Sequence, residues 1–331
     1  MSVVSLTRCP TYESAELHGA LDRLLEPFGG LAGASGFGRR IGHGSKVLVK
    51  PNFLRAATAE EAVSPHPELV REICRRLLDL GAQVTIGDSP AFGTASGVAQ
   101  LCGVMDVAQE LGIPVVEFRK PQAIRTGPPS NLTLQIDREV LEADAVVNLC
   151  KLKSHQQTGM TGAVKNLFGC ITGKRKPLWH LRLGDRGNGF GEMLIEVYRK
   201  VAPVLSICDG ILAMEGNGPG LGTPRQVGVL LAAEDGVALD TVSATLVGYP
   251  VEDLRVWKAA VDLEVGTPRM EDISVVGDTP LESVQITDWK HPEPLPIFFN
   301  PARVALSTAK QALLLARMKA DERFGSSHPS D

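Results

Sequence analysis

DAVVNLCKLKSHQQTGMTGAVKNLFGCITG, residues 144–173, begins with the apolar run Ala145-Val146-Val147-Asn148-Leu149-Cys150. A run of that length between polar flanks predicts a buried strand. Lys151 to Thr158 then reads as a basic, polar loop. Gly159, Gly162 and Gly169 interrupt the following segment, which carries Lys165 and Asn166. A strand that ends in a loop rich in glycine, lysine and histidine is how open α/β sheets present ligand-binding groups. Glycines there let the backbone approach a ligand and expose amide donors.

On the N-terminal side, Lys46 to Lys50 predicts a strand ending at Pro51-Asn52. A helix over 66–80 follows, with Gly81 just past its end. Val84 to Ile86 is the next strand, closed by Gly87-Asp88-Ser89-Pro90. Helical spacing returns at 96–111, and a short strand at 114–118. A further helix is expected at 12–27, and 29–44 reads as a glycine-rich loop. On the C-terminal side, helices are expected at 191–201, 236–247 and 251–263, and strands at 204–208, 227–232 and 273–276. Strands and helices alternating at this spacing predict an α/β fold: a mainly parallel sheet with helices on both faces. Residues 1–290 form the α/β catalytic or binding domain in this reading, with room for a second lobe at 204–290. Residues 291–331 make a proline-rich connector and a C-terminal amphipathic helix over 300–320.

In a parallel sheet, alternate strand ends gather on one edge, which is where such folds bind ligands. That edge is expected to collect Lys50, Asn52, Asp88, Ser89, Lys151, Lys153, His155, Glu215 and Asn217. An imidazole exchanges protons near pH 7, so His155 is a candidate acid–base group. A lysine in a partly dry pocket acts as a nucleophile or as a point charge on an anion, which makes Lys165 the second candidate. Asp88 and Glu215 are candidates to orient groups or relay protons. Lys50, Asn52, Ser89, Lys153, Asn166 and Asn217 are candidates to bind the substrate or a cofactor. Asp88 and Asp209 are also of the type that forms turns, binds a metal or holds a ribose hydroxyl. Asp240, inside a helix, reads as structural. Cys150, Cys170 and His180 are metal-ligating residue types, although their spacing matches no zinc site.

The chain has 331 residues, 44% of them hydrophobic, and a net charge of −4. The first two values support a sizeable core; the third offers no basic field for nucleic acid. No apolar run reaches the roughly 20 residues needed to cross a bilayer, and the N-terminus has no signal-peptide pattern. The six cysteines are scattered, with no CxxC pair. Reduced thiols in a cytoplasmic protein account for them. The expected partner is a small anionic molecule, with a homodimer or a redox partner as further options.

The segments Lys46–Asn52, Gly87–Pro90, Lys151–Gly169, Asp209-Gly210, Glu215–Pro219 and Ala238–Asp240 together resemble domain of unknown function family 362. Many members of that family carry an attached ferredoxin-type module, which this sequence lacks. The resemblance implies an iron–sulfur-linked redox accessory or binding protein as the alternative to an enzyme. More distantly, His155, Gly159, Thr161-Gly162 and Lys165 are similar to a segment of nickel-pincer lactate racemases. That similarity implies a lactate-racemase-like fold, an acid–base role for His155 and a nickel-pincer-type nucleotide on Lys165. His180 falls where a metal-ligand histidine is expected. Those enzymes have a further catalytic histidine after the strand that here ends in Gly87-Asp88-Ser89-Pro90. The similarity therefore implies architecture and pocket rather than a reaction, and leaves proton or hydride transfer on a small acid as the expected chemistry.

Overall fold

A computed structural model describes residues 1–172, 175–184 and 187–297. The C-terminal helix expected at 300–320 lies outside them. The first half of the chain runs β1 (Ser2–Arg8), α1 (Ser14–Leu25), α2 (Gly30–Gly33), β2 (Lys46–Pro51), α3 (Pro67–Asp79), β3 (Gln83–Asp88), α4 (Ala95–Leu101), α5 (Val104–Glu110), β4 (Val115–Glu117), β5 (Pro121–Arg125), β6 (Thr133–Asp137) and α6 (Arg138–Leu141). There follow β7 (Ala145–His155), β8 (Gly159–Thr161), α7 (Ala163–Asn166), α8 (Arg175–Leu183), α9 (Gly189–Val201), β9 (Leu205–Glu215), β10 (Thr223–Ala233), α10 (Gly236–Leu246), α11 (Arg255–Asp262), β11 (Ile273–Val276) and α12 (Leu281–Val284).

Nine strands form one sheet in the order β11-β1-β10-β9-β7-β2-β3-β4, with β8 hairpinned onto β7. β5 and β6 make a separate antiparallel hairpin. β7 runs parallel to β2 and β9, β2 to β3, β3 to β4, and β1 to β11. Only β1/β10, β10/β9 and β7/β8 are antiparallel within the large sheet as described. The fold is therefore the expected α/β class with a mostly parallel sheet. β9, β10 and β11 belong to the same sheet as β1 to β4.

Side chains alternate across the sheet and make a core on each face. Val47, Val49, Val147 and Leu149 pack with α1, α3, α4 and α5. Leu48 and Val146 face α7, α9 and α11, while Cys150 and Leu152 face α10. A central strand buried on both faces reads as a continuous apolar run, which is why the start of β7 was legible.

Three details differ from the expectations. β1 was not anticipated, because its partners at 229–232 and 273–276 lie more than two hundred residues away. The helix at 96–111 is two helices, broken at Gly103, whose φ of 80° is left-handed. Most importantly, the loop expected from Lys151 is strand as far as His155, and every residue of β7 is buried. Two lysines fit inside a buried strand because each finds a partner. Lys151 Nζ lies 2.8 Å from Asp209 Oδ2, and Lys153 Nζ donates to the carbonyl of Val63 at 2.6 Å. Beside them β9 bulges: Lys151 pairs with Asp209 but Lys153 pairs with Met214.

Candidate functional site

The carboxyl ends of β2, β3 and β7 meet in a polar network under α7. Asn148 is the one polar residue in the apolar start of β7. It donates to the carbonyl of Ala163 and to Ser206 Oγ, each at 3.0 Å. Asn166, on α7, donates to Asn148 Oδ1 at 2.8 Å and accepts from Asn52 Nδ2 at 2.9 Å and Lys50 Nζ at 3.2 Å. Lys50 also pairs with Asp88 Oδ1 at 2.9 Å, and both side chains are almost wholly excluded from solvent. Asp88 accepts the backbone N–H groups of Phe53 and Ser89 as well. Asp88, a catalytic candidate by sequence, and the binding candidates Lys50, Asn52, Ser89 and Asn166 all belong to this network, and the contacts described here are among themselves.

A second ionic group lies where β7 meets the bulge of β9. Tyr12 donates to Asp209 Oδ1 at 2.8 Å, and the backbone N–H of His66 donates to Asp209 Oδ2 at 2.9 Å. Lys151 bonds both Asp209 and the Tyr12 hydroxyl. The rings of Tyr12 and His66 stack, 3.7 Å apart and 9° from parallel. They line a cavity of about 250 Å³ together with Ile211 and Leu212 of the bulge. A second cavity, of about 600 Å³, opens beside Tyr198 and Glu234. Neither is lined by His155 or Lys165.

The basic groups at the β7–β8 turn, α7 and α8 lower one another's proton affinity, although Asp88 raises that of Lys153 and Lys176. Burial lowers the proton affinity of His155 well below the ordinary imidazole range, and the charges of Lys165, His180 and Lys153 lower it further. Burial likewise depresses Lys153, with Lys165 and Lys151 adding to the effect. Lys165 falls to about 8 through burial and the charge of Lys176. Its amine makes no hydrogen bond or ion pair among the described residues, and the residue is only half-buried. Lys176, on α8, also falls to about 8, chiefly through burial, and donates to the carbonyl of Ser89. His180 is pushed down to about 3, first by burial and then by Lys165. Its ring lies 4.5 Å from that of Phe190. His155 Nδ1 accepts the N–H of Gln157 at 3.1 Å, which leaves the proton of the neutral ring on Nε2. The charge of Lys165 thus reaches His155, but neither cavity above joins the two side chains. Lys176 was not anticipated; it ends the basic run Lys174-Arg175-Lys176, and such a run reads as a solvated face.

Other expectations are corrected. Glu215 does not face His155: it accepts from Arg225 Nη1 at 2.9 Å and from the backbone of Lys290 at 3.2 Å. Asn217 is exposed and accepts the N–H of Glu293. Both tie down residues 288–297. The glycines of the segment do not open the backbone to a ligand. A Cβ on Gly169 would overlap Asp88 Oδ1 and Lys50 Nζ, so that glycine is required by the buried ion pair. Cys150, Cys170 and His180 do not form a ligand set. Cys150 packs with Cys208 against α10, whereas Cys170 lies in the cluster under α9. A hydrogen bond to Cys208 and burial raise the Cys150 thiol well above its usual range, and burial pushes Cys170 up to about 12. No group of three or more potential metal-binding side chains occurs among the described residues.

The profile of the family described as "Domain of unknown function (DUF362)" matches residues 47–245, from β2 through most of α10. The chain belongs to the DUF362 family. A relative, described as a thylakoid-associated protein of Synechocystis sp., is 42% identical over 308 residues, 93% of each chain. Among solved structures, this DUF362 protein is similar to the lactate racemase apoprotein of Thermoanaerobacterium thermosaccharolyticum. The TM-score is 0.43 at 15% identity, over 71% of this chain and 55% of the other.

The two cofactors that the sequence raised can be tested against the residues present. A pincer-type nickel nucleotide on Lys165 would find an available amine with an imidazole nearby. Where a second base is needed, after β3, the DUF362 chain has Asp88, which is occupied by Lys50 and two backbone amides. An iron–sulfur cluster would need thiolates together, and Cys150 and Cys170 are protonated and apart. Neither group fits this residue set, and no step is routed through either.

Proposed function

We propose that this protein is an enzyme of proton transfer that binds a small anion, of the hydroxy-acid or carboxylic-acid class, between the β7–β8 turn and α7. The observation that carries this reading is the gathering of Lys153, His155, Lys165, Lys176 and His180 with no carboxylate bonded to the Lys165 amine among the described residues. Like charges held together in a partly dry site raise one another's energy, and an anion relieves it. Lys165 bonds the substrate or takes its proton, since an amine near 8 exchanges protons close to neutral pH. His155 offers its Nε2–H to a developing negative charge. The Lys50–Asp88–Asn166–Asn148 network holds α7, and so Lys165, in place.

Calorimetric titration with lactate, pyruvate and inorganic phosphate tests this. Lys165→Ala should abolish binding of whichever anion binds, while leaving the thermal midpoint nearly unchanged. If the variant unfolds and the wild-type binds none of the three, Lys165 is structural. We take the protein to be cytoplasmic. The Synechocystis relative is described as thylakoid-associated, so recovery of this chain in a membrane pellet after lysis would overturn that placement.

A further inference from the structure

Residues 288–297, DWKHPEPLPI, cross the outside of the β7–β8 turn that carries His155. Proline at every second position from 292 to 296 removes alternate backbone donors and keeps the segment extended. The two intervening amides have partners: Glu293 N–H donates to Asn217 Oδ1 at 2.9 Å, and Leu295 N–H to the carbonyl of Gln156 at 2.8 Å. Gln157 Nε2 donates to the carbonyl of Pro296 at 2.9 Å, and Gly216 N–H to that of Lys290 at 2.7 Å. At one end Trp289 is buried in the cluster under α10 and donates to Ser154 Oγ at 3.0 Å. At the other, Ile297 is fully buried in the separate cluster that contains Phe168 and Phe190, the aromatic neighbours of His180.

The segment is therefore pinned by two apolar anchors in different clusters. Its middle is held by single hydrogen bonds, several of them to exposed groups. The small net contribution of each such bond is slight beside the burial of a whole strand. Glu215, a candidate proton relay by sequence, serves here with Arg225: Glu215 holds the Lys290 amide, and Arg225 bonds Asp288 Oδ1 at 2.5 Å.

We infer that residues 288–297 form a strap that lifts and closes over the β7–β8 turn, controlling access to His155 in the cationic site. The inference rests on the functional reading above only for what enters; the motion itself is independent of it. When the strap is down, His155 and Ser154 are sealed; when the middle releases, the turn at Gln156-Gln157 loses three of its partners and the imidazole meets solvent.

Hydrogen exchange and diethyl pyrocarbonate labelling of the full chain, both read by mass spectrometry, test this without any substrate. In the wild-type protein, the amides of 290–297 should exchange together and well before those of β7. In the Asn217→Ala, Glu215→Gln double variant, strap exchange and His155 labelling should each rise at least tenfold, with exchange of β7 unchanged. Asn217→Ala alone serves if the double variant is unstable, with a smaller rise of the same pattern expected. Strap amides that exchange only together with β7, or His155 labelling that stays constant while the strap loosens, would overturn the inference. Loss of anion binding in Lys165→Ala bears on the site and not on the strap, so the two readings fail separately.

Discussion

Gly162 and Asp240 touch so closely that a Cβ on the glycine would overlap the carboxylate oxygen Oδ1. The contact exists because Asp240, from α10, reaches the first turn of α7. Its oxygens accept the N–H groups of Ala163 at 2.5 Å and Val164 at 3.1 Å. Those amides have no partner inside a four-residue helix. Burial raises the Asp240 carboxyl to about 7, and the two backbone hydrogen bonds offset part of that rise. Asp240→Ala should cost roughly 1–3 kcal/mol for the stranded donors, read by urea denaturation. It should also weaken anion binding, since the same turn carries Lys165 and Asn166.

Removing one partner of the Lys50–Asp88 pair leaves a buried charge alone. Asp88→Asn should therefore destabilise the protein by about 3–5 kcal/mol, whereas Lys50→Met with Asp88→Leu should cost less than the sum of the single changes. A double-mutant cycle on unfolding free energies measures the difference; additive effects would mean the pair is not coupled.

His180 and His155 lower stability in acid, while Asp240, raised to about 7, works the other way as pH falls below 7. Both histidines have folded-state values below the unfolded value near 6.5, and His180 is at about 3. Their contribution is fully present above pH 6.5 and is lost as the pH falls from there toward 3, because the unfolded chain takes up the protons first. The slope reaches about 1.4 kcal/mol per pH unit for each histidine. His180→Phe, which keeps a ring against Phe190, should flatten the fall between pH 6.5 and 4.

Lys165 is the first charge to act on His155 after burial. In Lys165→Met the His155 imidazole should titrate at higher pH than in the wild type, as followed by NMR of the ring. A curve that does not move would mean that the two groups are too far apart to share a ligand.

Anion affinity should fall as pH rises through about 8, since Lys165 and Lys176 lose their protons there. The fall approaches tenfold per pH unit for each lysine that must be charged. Calorimetry at pH 8 in two buffers of different ionisation enthalpy should detect proton uptake on binding.

The helix at 66–80 and the strands at 46–50 and 145–150 could be read from the chain because each is written locally. His66 and Pro67 start α3, and Gly81 follows its end with φ of 74°. Unbroken apolar runs mark strands covered on both sides. The expectation that Lys50, Asp88 and His155 lie toward one edge came from the strand pattern. What local pattern could not supply was the environment of each charge. Lys151 and Lys153 look like loop residues until Asp209 and the Val63 carbonyl, 58 and 90 positions away, are brought beside them. Glu215 looks like a proton relay until Arg225 and the Lys290 backbone occupy it. Whether an ionisable side chain is free for chemistry or consumed by structure depends on partners that only tertiary packing delivers, since the energy of a buried charge is fixed by its neighbours in space. The sequence by itself determined the α/β scaffold; the folded chain decided which charged residues are consumed by partners and left the Lys165 amine without a carboxylate partner among the described residues.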